Sequence, residues 1–216
     1  MTRDPAKGSR NPTWVAFLLT AVIGLLFGAG DQYLGSLRSM VALGPWTVSV
    51  SQMSAPWVLL PFLFGCTLGR SRRPMVLGLV ATVSALAGYF AMTISPIEGV
   101  PTGRIPAAAV ALLGSNLIWI FGGLVTGPWF GLLGQRWATG RSWAGAGLVA
   151  GAFLFEPVVR SVGAPRWGTP WWWPNLFGPA WVWIFEAVVG ACIAGYFFIA
   201  IGRRRRGMGA VQHVVP

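Results

Sequence analysis

PAWVWIFEAVVGACIAGYFFIAIGRRRR, residues 179–206, decides how the chain must be read. Residues 180–201 are a run of about twenty apolar positions, enough for a helix to cross a ~30 Å hydrocarbon core. Arg203, Arg204, Arg205 and Arg206 follow at once. Such a cluster resists translocation and holds its end in the cytoplasm. One acid, Glu186, lies inside the run. At ~1.5 Å per residue it sits roughly 9 Å from the outer end of the helix, at a depth where an ionisable group needs a partner.

Composition extends this to the whole chain. Its 216 residues are 55% hydrophobic and 10% charged, with a mean hydropathy of +0.64, whereas a soluble domain carries about 25% charged residues. The formal charge of +11 raises nucleic acid as a partner. The basic residues, however, sit in short connectors between apolar runs, which is a topology signal rather than a binding patch. No nucleic-acid partner is expected. Cys66 and Cys192 fall inside apolar runs and read as small buried side chains, and His213 is the only histidine. No metal-ligand spacing arises, and no metal or cofactor is expected.

Working outward, five further apolar runs precede the last one. They cover residues 13–30, 51–68, 75–94, 106–125 and 143–159. The fourth continues to Leu133 past an interruption at Gly127 and Pro128. A cleaved leader is the rival reading of 13–30, but that run exceeds the ~7–15 residues of a leader core. Residues 31–50 read as a mixed connector, and Pro56 and Pro61 should bend the second run. Residues 161–179 hold too many Pro and Gly for a regular helix, and Trp171, Trp172 and Trp173 there suit the headgroup layer.

Charge orients the spans. With the N-terminus inside, Arg3, Lys7, Arg10, Arg70, Arg72, Arg73, Arg136, Arg141 and the four tail arginines are cytoplasmic. Only Arg38, Arg104, Arg160 and Arg166 lie outside. The predicted architecture is therefore all-α: a polytopic transmembrane bundle of six spans with both termini cytoplasmic. It comprises an N-terminal segment 1–12, a membrane domain 13–201 and a basic tail 202–216.

Helices in lipid associate through close backbone contact, which small residues permit. Pairs four apart occur at Gly24/Gly28, Gly65/Gly69, Gly123/Gly127, Gly147/Gly151 and Gly190/Ala194. They predict a tight bundle, through internal or oligomeric faces. SALAGYF at 84–90 is echoed by ACIAGYF at 191–197. An inverted repeat and chance both account for that echo.

The polar side chains within the spans gather toward the outer half. Glu186, Glu156 and Asp31 lie there with Ser51, Gln52 and Ser54, while Ser115 and Asn116 are near mid-depth. An outward-facing pocket would have this asymmetry. The carboxylates could pair with a cation, Gln52 and Asn116 orient it, Trp57 and Trp119 wall it, and Arg160 receive an anion. The structural alternative is that Glu156 and Arg160, an i,i+4 pair on one helix, neutralise each other, with Glu186 a partner of Arg160 or of an amide. A proton relay is the third reading. Enzyme readings lack support: no intramembrane histidine is present, no GxSxG elbow and no GxxxxGK[ST] loop.

SAPWVLLPFLFGCTLGRSRRP with LAGYF, and FEPVVR ahead of a tryptophan-rich loop, resembles a family of uncharacterised actinobacterial multi-pass membrane proteins. That resemblance covers most of the chain and implies about six spans and no established activity. In size and topology the layout is also similar to the substrate-binding subunits of energy-coupling-factor vitamin transporters, an analogy of architecture alone.

The expectation is a plasma- or inner-membrane protein that binds or transports a small molecule through an outward pocket lined by Glu186, Glu156, Gln52, Asn116, Trp57 and Arg160. The alternative is a structural or interaction protein without a substrate, and a membrane enzyme ranks third. Expected partners are the lipid bilayer, a small-molecule substrate, and a membrane subunit or second copy of the chain.

Overall fold

A computed structural model describes residues 13–68, 73–140, 142–167 and 179–212. Arg3, Lys7, Arg10, Arg70, Arg72, Arg141, the Trp171, Trp172 and Trp173 run and His213 lie outside the described residues. So do the side chains of Arg166 and of Arg204, Arg205 and Arg206.

Every element in the described residues is helical. The α-helices are α1 (Thr13–Gly35), α2 (Leu37–Leu43), α3 (Trp46–Ser51), α4 (Ala55–Leu68), α5 (Pro74–Thr93), α6 (Ile105–Ser115), α7 (Leu117–Ala138), α8 (Ala144–Trp167) and α9 (Ala180–Gln212). Two 3-10 turns, Pro96–Glu98 and Thr102–Arg104, join α5 to α6. A lipid-embedded backbone must satisfy its own polar groups, and helices do so within one segment. Four helices are long and apolar enough to cross a membrane: Trp14–Gly35, Pro74–Thr93, Leu117–Ala138 and Ala180–Arg203. The chain is an integral membrane protein on that ground. Helix α4 is apolar but short, and α8 is long but carries Glu156 and Arg160.

Glycine sets how closely these helices meet. A Cβ on Gly28 would overlap the Ala85 carbonyl, and one on Gly24 would stand 2.7 Å from the Ala81 oxygen, so α1 lies backbone to backbone against α5. Gly78 meets Gly127 across α5 and α7, and Gly65 meets Gly131 across α4 and α7. Gly190 of α9 packs on Phe153 and Leu154 of α8. Gly147 instead faces Trp143, just ahead of α8, and Gly151 faces Phe155 of its own helix. The two halves of the sequence echo differ as well: Gly88 packs on the Leu25 carbonyl, and Gly195 has no neighbour within 4 Å.

These pairings fix direction. On α1 and α5 the contacts advance together, Gly24 with Ala81 and Gly28 with Ala85, so the two helices run parallel. On α5 and α7 they advance oppositely, Gly123 with Leu86 and Gly131 with Pro74, so that pair is antiparallel. A second packing centre joins α4, α7, α8 and α9 through Ala55, Phe62, Trp137, Val149 and Phe153. Phe197 of α9 closes it, with its ring centroid 4.6 Å from Trp137 and 6.0 Å from Phe62.

The structure redraws several predicted boundaries. Asp31 lies within α1 rather than ending it, and residues 37–51 fold as α2 and α3 instead of an irregular connector. Small hydroxyls make that possible. Ser36 caps α2 by accepting from the Ser39 N–H at 3.2 Å, and the Ser39 hydroxyl donates to the Leu34 carbonyl at 2.6 Å. Gly44, at φ 106°, takes the left-handed turn between the two helices. The expected interruption at Gly127 and Pro128 does not occur, because α7 runs through both. Gly127 is pinned against Gly78 and Thr82 of α5, which supports the helix past the N–H that Pro128 lacks. The helical course breaks instead at Asn116, whose Nδ2 donates to the Leu112 carbonyl at 2.8 Å. Helix α8 continues to Trp167, beyond the expected end at 159.

Candidate buried polar site

Gln52, Met53 and Ser54 form the turn between α3 and α4. The first N–H groups of any helix have no partner within it. For α4 the partner comes from another helix. Glu156 of α8 accepts the Ser54 N–H at 2.8 Å and the Ala55 N–H at 2.9 Å. A carboxylate there also opposes the positive end of the helix dipole. Arg160, one turn on along α8, donates from Nε to Glu156 Oε1 at 2.9 Å. Its Nη2 donates to the Gln52 carbonyl and, at 3.4 Å, to Ser54 Oγ. The two side chains retain only 6% and 10% of their surface. The pair anticipated from i,i+4 spacing thus exists, and it ties α8 to the α3–α4 turn.

Helix α9 supplies the opposite wall. Trp183 and Glu186 are three apart and so share a helix face. The Arg160 guanidinium carbon stands 5.3 Å from the Trp183 ring centroid. Glu186 is close enough to Glu156 and Arg160 to interact with both charges. It is 1% exposed, and its hydrogen-bond contact is with the second acid, Glu156, the two carboxyls sharing a proton. Gln52 Oε1 and Trp183 Nε1 are buried without partners. A buried polar atom without a partner is costly. Two carboxyls, Glu156 and Glu186, face the single positive charge of Arg160.

The remaining residues predicted to line a pocket are elsewhere. Trp57, on α4, turns toward α1 and α5: its Nε1 donates to Asp31 at 3.3 Å, and its ring lies 5.4 Å from Phe27 and 6.1 Å from Tyr89. Asn116 is spent on the α6–α7 junction, and Trp119 beside it is 51% exposed on the bundle surface. The structure therefore brings together Gln52, Glu156, Arg160 and Glu186 and sets Trp57 and Asn116 apart. Trp183 was missed because most tryptophans here read as interfacial anchors; its spacing to Glu186 was the available signal. Among the described residues no group of three or more His, Cys, Asp or Glu side chains is placed to hold a metal ion.

Comparison with known proteins matches residues 7–216 to a family of unknown function, DUF6518. No curated protein and no solved structure matches the chain.

Proposed function

We propose, for a chain that belongs to the DUF6518 family of unknown function, a role in binding or moving a small molecule at the polar site between the α3–α4 turn, α8 and α9. One observation carries this reading: Glu186 is a buried acid set against a second buried acid, Glu156, and the two share one guanidinium. Selection for stability alone would replace the second acid or give it a cation of its own. A site that exchanges a ligand keeps a group of this kind.

The site belongs to a six-span bundle in the cell membrane, with both termini cytoplasmic and the site toward the outer face. The basic connectors support that orientation. The parallel course of α1 and α5 supports the extra crossings, since the chain between them has to return through the bilayer and α4 is the apolar helix that does so. Helix α9 runs opposite to α8, with Glu186 near Glu156 and Gly190 on Phe153, which supports α8 as a span. The membrane domain covers 13–201, flanked by the segment 1–12 and the basic tail 202–216. Its partners are the bilayer, the small molecule, and a membrane subunit or second copy.

A second reading has its own observation. Glu156 and Arg160 are fully engaged in capping and pairing, which favours a structural role for those two. The test is thermal unfolding of detergent-purified protein against a library of small metabolites. A compound that raises Tm in the wild type and not in Glu186→Gln supports binding. A library without effect, together with a Glu186→Gln protein that unfolds, supports the structural role.

A further inference from the structure

We infer that Glu156 and Glu186 form a one-proton site, and that the proton they share holds the N-terminal half of α9 against α8. The packing of the two helices puts the acids together. A Cβ on Gly190 would stand 2.8 Å from that of Phe153, and the Trp183 ring lies 5.3 Å from the Arg160 guanidinium carbon. Positions three and four apart share a helix face. Between Trp183 and Gly190 that face of α9 holds Glu186, and between Phe153 and Arg160 that face of α8 holds Glu156. The antiparallel seam therefore brings carboxyl onto carboxyl, and the two meet in a hydrogen bond.

An ionised carboxyl only accepts hydrogen bonds, so a bond between two of them requires a proton on one. Glu156 already accepts from the Ser54 and Ala55 N–H groups and from Arg160 Nε, so it is the acceptor and Glu186 brings the O–H. Charge then closes: one guanidinium, one carboxylate and one neutral acid, where Glu186 is 1% exposed and an unpaired charge is costly. Among the described residues no other ionisable side chain serves Glu186. Helix α3 carries none, Cys66 of α4 and Arg136 of α7 lie toward the far end of α4, and Arg203 lies at the far end of the α9 span. Loss of the proton sets a second negative charge against one guanidinium. Glu156 cannot give way without uncapping α4, so α9 is the helix that moves. This holds whether or not the site also takes a small molecule.

Detergent-purified full-length protein is titrated upward by infrared spectroscopy from about pH 6, where free carboxyls are already ionised. A protonated-carboxyl C=O band should be present there, survive Asp31→Asn, vanish in Glu186→Gln and titrate away as pH rises. Spin labels on Phe155→Cys and Val188→Cys, with Cys66 and Cys192 replaced, follow the helices from exposed positions on each. Their separation should be one narrow distribution at the acid end and should lengthen and broaden as the band disappears. In Glu186→Gln it should stay narrow throughout, because the carboxamide N–H replaces the acid O–H. Until the pair releases its proton, each pH unit should lower the wild-type Tm by about 3–5 °C more than that of Glu186→Gln, the effect of one proton held only by the folded chain.

A wild type without the band at about pH 6 overturns the site, and that measurement needs no variant to fold. A band that disappears in Asp31→Asn places the proton elsewhere and overturns it too. A band that titrates while the label separation stays fixed overturns the tie between α8 and α9.

Discussion

The carboxylate of Glu156 on α8 receives the backbone N–H of Ala55 on α4 at 2.9 Å, so one helix is capped by a residue of another, 101 positions away. The same carboxylate balances Arg160, which in turn bonds the Gln52 carbonyl. Removing the acid therefore strips the cap and takes away the carboxylate that bonds the buried guanidinium.

Glu156→Ala is expected to cost about 3–5 kcal/mol, the range for breaking a buried pair on one side. At about 2–4 °C per kcal/mol for a chain this size, detergent-solubilised protein should melt at least 6 °C lower. Replacing both Glu156 and Arg160 by Met should destabilise less than the sum of the two single changes, because the two charges leave together. Additive single and double effects would refute the coupling.

The α1–α5 contact gives a sharper contrast. A Cβ at Gly28 collides with the Ala85 carbonyl, whereas one at Gly30 meets nothing within 4 Å. Gly28→Ala should destabilise by about 1–3 kcal/mol through overpacking. Gly30→Ala, two residues away on the same helix, should be neutral or gain up to ~1 kcal/mol from helix propensity. Thermal melts of the two variants side by side decide it, and equal behaviour would mean that α1 does not lie on α5 as described.

Trp57 and Asp31 make a second, separate polar contact. Trp57→Phe keeps the packing on Phe27 and Tyr89 and removes the N–H, so a loss of about 1 kcal/mol is expected. Asp31→Asn retains an acceptor and should cost less. A Trp57→Phe protein as stable as the wild type would remove this bond from the account.

Topology is testable by labelling. Thr102 and Thr139 are both exposed, at opposite ends of the α6–α7 stretch. In a chain with Cys66 and Cys192 replaced, Thr102→Cys should react with an impermeant maleimide on intact cells. Thr139→Cys should react only after permeabilisation. The reverse pattern would invert the orientation and place Glu186 near the inner face.

Much of the fold was legible because lipid leaves a backbone few choices. Apolar run lengths located α1, α5 and α9, the fourth run fell across the α6–α7 break, and glycine spacing anticipated the Gly24/Gly28 seam. Local hydrogen-bond competition was not legible. Neither the helical course through Gly127 and Pro128 nor its break at Asn116 follows from residue type alone, since each depends on what the neighbouring helix or side chain offers the backbone. Of the polar residues picked out by depth, Gln52, Glu156, Arg160 and Glu186 converge, while Trp57 and Asn116 at comparable depth do not. Depth along a helix says nothing of the angle around it.

The amino-acid sequence by itself determined that this chain is helical and membrane-embedded, because hydrophobic run length and the charge of the connectors act locally and need no partner. Only the tertiary structure decided that Glu156 caps α4 and that Glu186 lies against it. Two carboxyls of the same kind, thirty positions apart, differ in that Glu156 receives the free N–H groups of α4 and the Arg160 guanidinium, and the first of these is a matter of packing between segments far apart in the chain.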